Sequence, residues 1–488
     1  AVTLISDMTK KLLIVGAGEA GRMLAREIAN RAPDQFALVG FLDDASSLRD
    51  SVVEGVPVVG ATADLPGAVR ALSADEVLIA VPSAGRDFVR RMVSLCRDAA
   101  VPYRIAPGLL EIVKGPVRLE QIRDVRPEDL LGRETVEFDE GEIGSFLGGR
   151  TVLVTGAGGS IGGEVCRQVA RFDVARLVLL GRGENQIYEI EHELRERHPE
   201  REVVPAIVDV RDTRALRRVM EAHRPDIVYH AAAHKHVHYM EAFPAEAIKN
   251  NVVGTQNVID AATAAGTSRV VMLSTDKAVE PCGVMGASKR FAEYLMAARN
   301  GEGGPRLISV RFGNVLASRG SVVPLFVHQI RTGGPVTVSH EAATRYFMSI
   351  REACVLVVQA SLMGDGGEIF ILKMGEPIRI SELARDLIAL HGYRPGVDIR
   401  IQWTGLRPGE KLHEALVADG ETAEASTHAH ILRARPAPPQ GVDVLESLAR
   451  LSRLAGEEDD AGIREELDRV IPDAHLFDPR PGRGGKGA

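Results

Sequence analysis

Two side chains that could move protons stand side by side at Asp276 and Lys277, in the run Ser274-Thr275-Asp276-Lys277 that follows the apolar stretch Val270 to Leu273. A carboxylate and an amine at a strand end can act as acid and base, or merely form a solvated ion pair. Further on, Met285 and Lys289 are spaced so that both fall on one face of a helix. The second chemical feature is Gly156-x-x-Gly159-x-x-Gly162, with Ser160 and Ile161 inside it, directly after the β-branched run Thr151 to Thr155. Such glycines permit a tight turn and let backbone N–H groups and a helix N-terminus approach a pyrophosphate. Asp209 and Val210, and then Ala231, Ala232 and Ala233, follow later apolar runs and would flank adenine and ribose. His230, His234, His236 and His238 could suggest zinc, since imidazole is a common ligand. His230 instead ends a strand and the other three lie in the loop after it, so no metal site is expected.

Positioning these groups requires two similar units. Lys11 to Gly21 and Thr151 to Gly162 both read as a buried parallel strand, a glycine turn and an amphipathic helix. The expectation is an α/β protein with two Rossmann-type, doubly wound parallel sheets. An accessory domain would span residues 1–120, with strands at Phe36 to Leu42 and Glu76 to Ser83, followed by a polar connector over 121–148. The catalytic domain would span 149–478, with strands near 177–180, 203–208, 227–230, 270–273 and 307–310. Its substrate lobe would occupy mainly 312–478, where glycine and proline become frequent, and residues 479–488 would be a disordered tail. Gly16-x-Gly18-x-x-Gly21 with Asp43 and Asp44 fits a dinucleotide fingerprint on spacing. A structural or oligomerising role is the competing expectation for that first domain.

Composition sets outer limits. The 488 residues include 59 Lys and Arg against 67 Asp and Glu, a net charge of −8, which is no footprint for nucleic-acid binding. Four dispersed cysteines encode neither a disulfide framework nor a zinc ribbon, so a reducing, cytoplasmic setting is expected. No window is apolar and long enough to cross a membrane. The first residue is alanine, so an upstream segment, including a membrane tether at the inner face, stays open.

A family resemblance rests on several motifs together. Ser274 to Val279, Val284 to Arg290, Arg311-Phe312-Gly313-Asn314-Val315-Leu316, Ser318 to Phe326, Thr344 to Met348 and Thr404 to Lys411 resemble the nucleotide-sugar 4,6-dehydratases of polysaccharide biosynthesis. These are the long, capsule and O-antigen type enzymes of the extended short-chain dehydrogenase/reductase superfamily, acting on UDP-N-acetylglucosamine. In that superfamily a Tyr-x-x-x-Lys pair usually occupies the place of Met285 and Lys289, and methionine is usual in this branch. The resemblance implies oxidation at carbon 4, loss of water across carbons 5 and 6, and return of hydride to carbon 6. Asp276 would protonate the departing hydroxyl, and Lys277 would act as base or enolate stabiliser at carbon 5. Thr275 with a water, or Asp276 itself, would take the carbon-4 hydroxyl proton, and Lys289 would hold the nicotinamide ribose. Arg345 and Arg407 would clamp the diphosphate. Asn314, Arg311, Arg319, Glu410, Lys235 and His236 complete the implied substrate set. A 4-epimerase is the runner-up, and a non-catalytic nucleotide-sugar sensor the reading of another class.

The implied cofactor is a tightly bound NAD(P). An acidic residue about 20 positions past the glycine loop usually meets the ribose of NAD. Here Leu180 is followed by Gly181 and Arg182, with Asn185 as an alternative ribose ligand, so NADP is expected at least as readily as NAD. The expected partners are a UDP-sugar and further copies of the chain in a homo-oligomer.

Overall fold

A computed structural model of the chain describes residues 9–81, 85–106, 122–126, 129, 138–301, 303–316, 318–436 and 440–476. They fall into two units, each organised around its own sheet.

The first sheet has six strands in the order Val52–Val53, Val56–Gly60, Phe36–Leu42, Lys10–Val15, Glu76–Ile79 and Tyr103–Ile105. All neighbours pair in parallel except the short Val52–Val53 edge. Its central strand shows why a continuous apolar run is needed. Leu13 and Val15 enter one hydrophobic cluster with Val89, Met92 and Cys96 of the helix Arg86–Asp98. Leu12 and Ile14 enter another with Leu24 and Ile28 of the helix Glu19–Arg31. A strand covered on both faces has no polar side to spare.

The second sheet has nine strands in the order Ala423–Ala425, Ile431–Ala434, Ile369–Leu372, Arg306–Arg311, Arg269–Leu273, Ile227–His230, Thr151–Thr155, Arg176–Gly181 and Val203–Ile207. From Ile369–Leu372 to Val203–Ile207 every pairing is parallel. The chain leaves Thr151–Thr155 for one neighbour and returns later to the other, which opens a crevice at the carboxyl ends of Thr151–Thr155 and Ile227–His230. The α/β, doubly wound class expected from the sequence is present in both units.

Domain boundaries differ from the contiguous ones expected. Residues 326–336 and 382–401 cluster with the first unit although they lie inside the expected catalytic span. Part of the expected connector is also built into that unit. Arg123 pairs with Ile105 through two backbone hydrogen bonds, and Val125 joins the core. The helix Glu140–Leu147 belongs to the second unit, with Asp139 capping it through the N–H groups of Gly141 and Glu142. Three strands of the expected substrate lobe extend the main sheet, and the helices Val444–Gly456 and Asp460–Val470 bury Leu451, Ile463 and Leu467 in its core. The expected tail, residues 479–488, lies outside the described residues. No described helix is long and apolar enough to cross a membrane.

Candidate active site

The glycine loop follows the strand Thr151–Thr155 and opens the helix Ser160–Ala170. Gly156 adopts φ +68°, and a methyl there would lie 2.8 Å from the Ala232 nitrogen. A methyl at Gly162 would lie 2.2 Å from the Gly156 carbonyl oxygen, so loop and helix can approach only because both positions are glycine. Gly159 offers no side-chain acceptor to the first helical turn, which leaves N–H groups for an anion. A cleft of about 270 Å³ opens here, lined by Gly156, Gly159, Arg182, Asp209, Val210 and the three alanines 231–233. This cradle fits the adenosine and pyrophosphate half of a dinucleotide. Gly158, Gln186, His234 and Asn250 also line it and were missed. Gln186 follows Asn185 on one helix, but Asn185 itself is exposed and outside the lining. Ser160 Oγ accepts a hydrogen bond from the Arg319 backbone, 3.0 Å.

Arg182 lies 3.6 Å from Asp209 and is more than half exposed. Arg211 holds the same carboxylate from two nitrogens, and these contacts keep Asp209 ionised down to a pKa of about 2. His230 is engaged within the fold. Its ring lies buried between Thr155 Oγ1 at 2.7 Å and Thr255 Oγ1 at 3.1 Å, and burial, helped by nearby Lys289, pushes its pKa down to about 3. Among the described residues no cluster of His, Cys, Asp and Glu could hold a metal ion. A π-helical stretch, Ile248–Val253, leads into the helix Gly254–Ala265 and buries Asn251. That side chain pins the loop at His234 through both its N–H and its carbonyl, and reaches Ser288 Oγ.

Asp276 and Lys277 sit in a short 3₁₀ turn at the carboxyl end of Arg269–Leu273. Lys277 Nζ donates to Asp276 Oδ1 at 2.9 Å and to Asn314 Oδ1 at 3.0 Å, and Thr275 Oγ1 donates to the same Asp276 oxygen at 2.9 Å. Asp276 is fully covered, and its Oδ2 has no hydrogen-bond partner among the described residues. Thr275 and Lys277 are partly exposed. Thr275 and Lys277 both donate to Asp276 Oδ1, which links the buried carboxyl to the partly exposed groups on either side of it. Burial alone would lower the Lys277 pKa, but the carboxylates of Asp276 and Glu414 outweigh it and hold the ammonium above the usual lysine range. Lys289 is the opposite case: burial, only partly offset by Glu293, pushes it down to about 8.

Met285 is buried in the hydrophobic core at the start of the helix Val284–Arg299. Its thioether moves no proton, and the side chain packs in the core. Met285→Ala is expected to cost about 2–5 kcal/mol of stability, the usual range for emptying such a site, while turnover at permissive temperature stays near that of the unsubstituted protein. Thermal melts beside steady-state rates check this.

Three expected substrate ligands are occupied internally. Arg311 is fully buried, donating to both oxygens of Glu293, both of Glu421 and the Leu416 carbonyl. It braces the fold and reaches no cleft. Arg345 is spent on the carbonyls of Thr344, Leu412 and Lys411 and on Glu410 Oε1. It therefore braces the 405–412 loop rather than clamping a diphosphate. Glu410 is engaged in the same loop, accepting from Ser339 Oγ and the Arg407 backbone. Arg407 is exposed. Arg319 pairs on the surface with Glu189, and Lys235 Nζ donates to the Arg319 carbonyl at 2.8 Å. His236 is half-buried, its ring edge-on to His238 and Tyr239.

Fold and site define an α/β protein with a dinucleotide-type glycine cradle and a hydrogen-bonded Asp276–Lys277 pair at the carboxyl edge of the main sheet. Residues 152–436 match the polysaccharide biosynthesis protein family, and residues 4–107 match a CoA-binding domain family. A probable polysaccharide biosynthesis protein of Bacillus subtilis, EpsC, is 44% identical over 414 residues, 85% of this chain and 69% of its own length. A UDP-glucose 4-epimerase of Rickettsia typhi is 36% identical over 283 residues, 57% of this chain and 80% of its own. The X-ray structure of Pen from Bacillus thuringiensis is 32% identical with a TM-score of 0.55, covering 62% of this chain and 97% of that one. The chain belongs to the polysaccharide biosynthesis protein family. In its first domain, of the acidic residues after the second strand, Asp43 accepts from the Ala17 N–H at 2.7 Å, and Asp44 accepts from Thr62.

Proposed function

We propose that the chain is an NAD(P)-dependent nucleotide-sugar 4,6-dehydratase that converts UDP-N-acetylglucosamine to its 4-keto-6-deoxy derivative. The observation that carries this reading is the Lys277–Asp276 hydrogen bond at the carboxyl edge of the sheet, with Met285 buried where a tyrosine base would otherwise stand. The glycine cradle, Arg182 and Asp209 would hold the cofactor, with Lys289 toward its nicotinamide ribose. Bound there, it would accept a hydride and give it back.

Elimination needs an uncharged amine and a protonated carboxyl, whereas the resting pair is the ion pair. Loss of the lysine proton to solvent supplies the amine, and the carbon-4 hydroxyl proton, passed through Thr275 Oγ1 during the oxidation, protonates Asp276. Lys277 then takes the carbon-5 proton, made acidic by the carbon-4 ketone. The Asp276 proton reaches the carbon-6 hydroxyl through Thr275 Oγ1, and water leaves. As hydride returns to carbon 6, Lys277 gives its proton back to carbon 5, and the pair regains its starting protonation. Arg407 is the exposed cation of its loop suited to the diphosphate, and Asn314 orients Lys277.

The epimerase relative favours a second reading, 4-epimerisation. That reaction loses no atoms and would use the Thr275–Asp276 route only for the carbon-4 hydroxyl proton, leaving Lys277 with no carbon-5 proton to take. Incubation with UDP-N-acetylglucosamine and mass analysis separates the two. A product lighter by one water supports dehydration, and an isomer of unchanged mass overturns it. Copies of the chain would assemble as homo-oligomers in the cytoplasm, at the inner face of the membrane if a membrane segment precedes them in the parent protein.

Cofactor choice gives a separate expected result. Protein purified with its cofactor should release NADP at least as readily as NAD, because Gly181 and Arg182 stand directly after Leu180 where a carboxylate is usual, and Arg182 can turn from Asp209 to a 2′-phosphate. Arg182→Ala should weaken NADP binding about tenfold, in line with a charge-assisted contact, and leave NAD unchanged. Recovery of NAD alone, with Arg182→Ala unchanged in affinity, would reject the arginine's role.

A further inference from the structure

Glu414 lies just beyond the last motif of the 404–411 loop, yet it stands against the acid–base pair. Its Oε1 is 3.6 Å from Lys277 Nζ and 3.7 Å from Arg345 Nε. Its Oε2 is buried without a hydrogen-bond partner among the described residues, 4.0 Å from Lys411 Nζ. An ionised carboxylate this deeply buried is costly to keep unless nearby cations compensate. Three do so: Lys277 from the catalytic turn, Arg345 from the strand Thr344–Arg345, and Lys411 from its own loop. The Cys282 thiol, which donates to the Gly409 carbonyl, is pushed up by burial to about 11 and therefore neutral.

Arg345 does not depend on Glu414, because its other contacts occupy three carbonyls and Glu410. Lys277 does. Two of its three N–H bonds go to Asp276 and Asn314, and Glu414 is the second carboxylate near the head group, opposed by the Arg345 charge.

We propose that Glu414 is a positioning residue for the elimination, holding the Lys277 head group and stabilising the ammonium that forms on it when it takes the carbon-5 proton. The inference rests on the dehydratase reading. In that step the carbon-5 to hydrogen bond breaks, and its electron pair moves toward the ketone and then expels the carbon-6 hydroxyl. The hydroxyl leaves as water with the proton held by Asp276, while Lys277 becomes a cation. The charge appearing on Lys277 is the one Glu414 faces.

Glu414→Gln keeps the shape and removes the charge. With UDP-N-acetylglucosamine, its kcat is expected to fall about tenfold or more, the scale on which a neighbouring charge alters basicity, while KM stays unchanged. An unchanged kcat overturns the inference. So does a raised KM at unchanged kcat, which would make Glu414 a brace for Arg345 and its loop. Should the amide fail to fold, Glu414→Asp carries the same test. Retracting the charge should lower kcat about threefold at constant KM, and the same two results would overturn it. Failure of the unsubstituted protein to release water from the sugar would instead overturn the dehydratase reading itself.

Discussion

Asp276→Asn and Lys277→Ala are each expected to lower turnover by about two orders of magnitude or more, the range seen when acid–base catalysis is removed. The two variants should fail differently. In Asp276→Asn the new amide would still accept from Thr275 and Lys277 but could not store a proton, so folding and cofactor content should be retained. Lys277→Ala removes the cation between two buried carboxylates, so one of them should take up a proton to stay buried. Its stability should therefore rise as pH falls, whereas the Asp276→Asn protein should not show that trend. Because the pair works as a unit, the double variant should be little slower than either single one. Rates near that of the unsubstituted protein in either single variant would remove both residues from the chemistry.

What the sequence made legible was local. The run Thr151 to Thr155 and its glycines carry their conformational requirements within a dozen positions, so strand, turn and helix could be read together. Asp276 and Lys277 are adjacent in the chain, so their pairing needed no knowledge of the fold. Arg311, Arg345 and Glu414 were misread or missed because their partners come from distant segments. Glu421 lies 110 positions from Arg311, and Glu410 lies 65 from Arg345. An isolated arginine in a sequence looks the same whether it awaits an anionic ligand or completes a buried ion pair. The return of residues 326–336 and 382–401 to the first unit was hidden for the same reason, since apolar periodicity shows that a face is buried but not against what.

That ambiguity at Arg311 leads to the other large effect. Arg311→Met would leave Glu293 and Glu421 facing Arg290 alone, with the hydroxyl of Ser274 donating to Glu293 at 2.6 Å. Removing one member of such a buried network typically costs about 3–5 kcal/mol, because the remaining charge has lost its solvent and its counterion. A marked fall in the unfolding midpoint is therefore expected, with KM for the nucleotide sugar unchanged wherever the protein remains folded. Adding Glu293→Gln should recover part of the loss, since it removes the carboxylate that Arg311 grips through two nitrogens. A substrate ligand would behave in the opposite way, raising KM in a protein of unchanged stability. Ser274 directly precedes Thr275, so loosening Glu293 also frees the backbone that carries the acid–base pair. Some loss of kcat should accompany the fall in stability, and the double variant should restore less of that rate than of the melting temperature, because the amide introduced by Glu293→Gln accepts from Ser274 more weakly than a carboxylate.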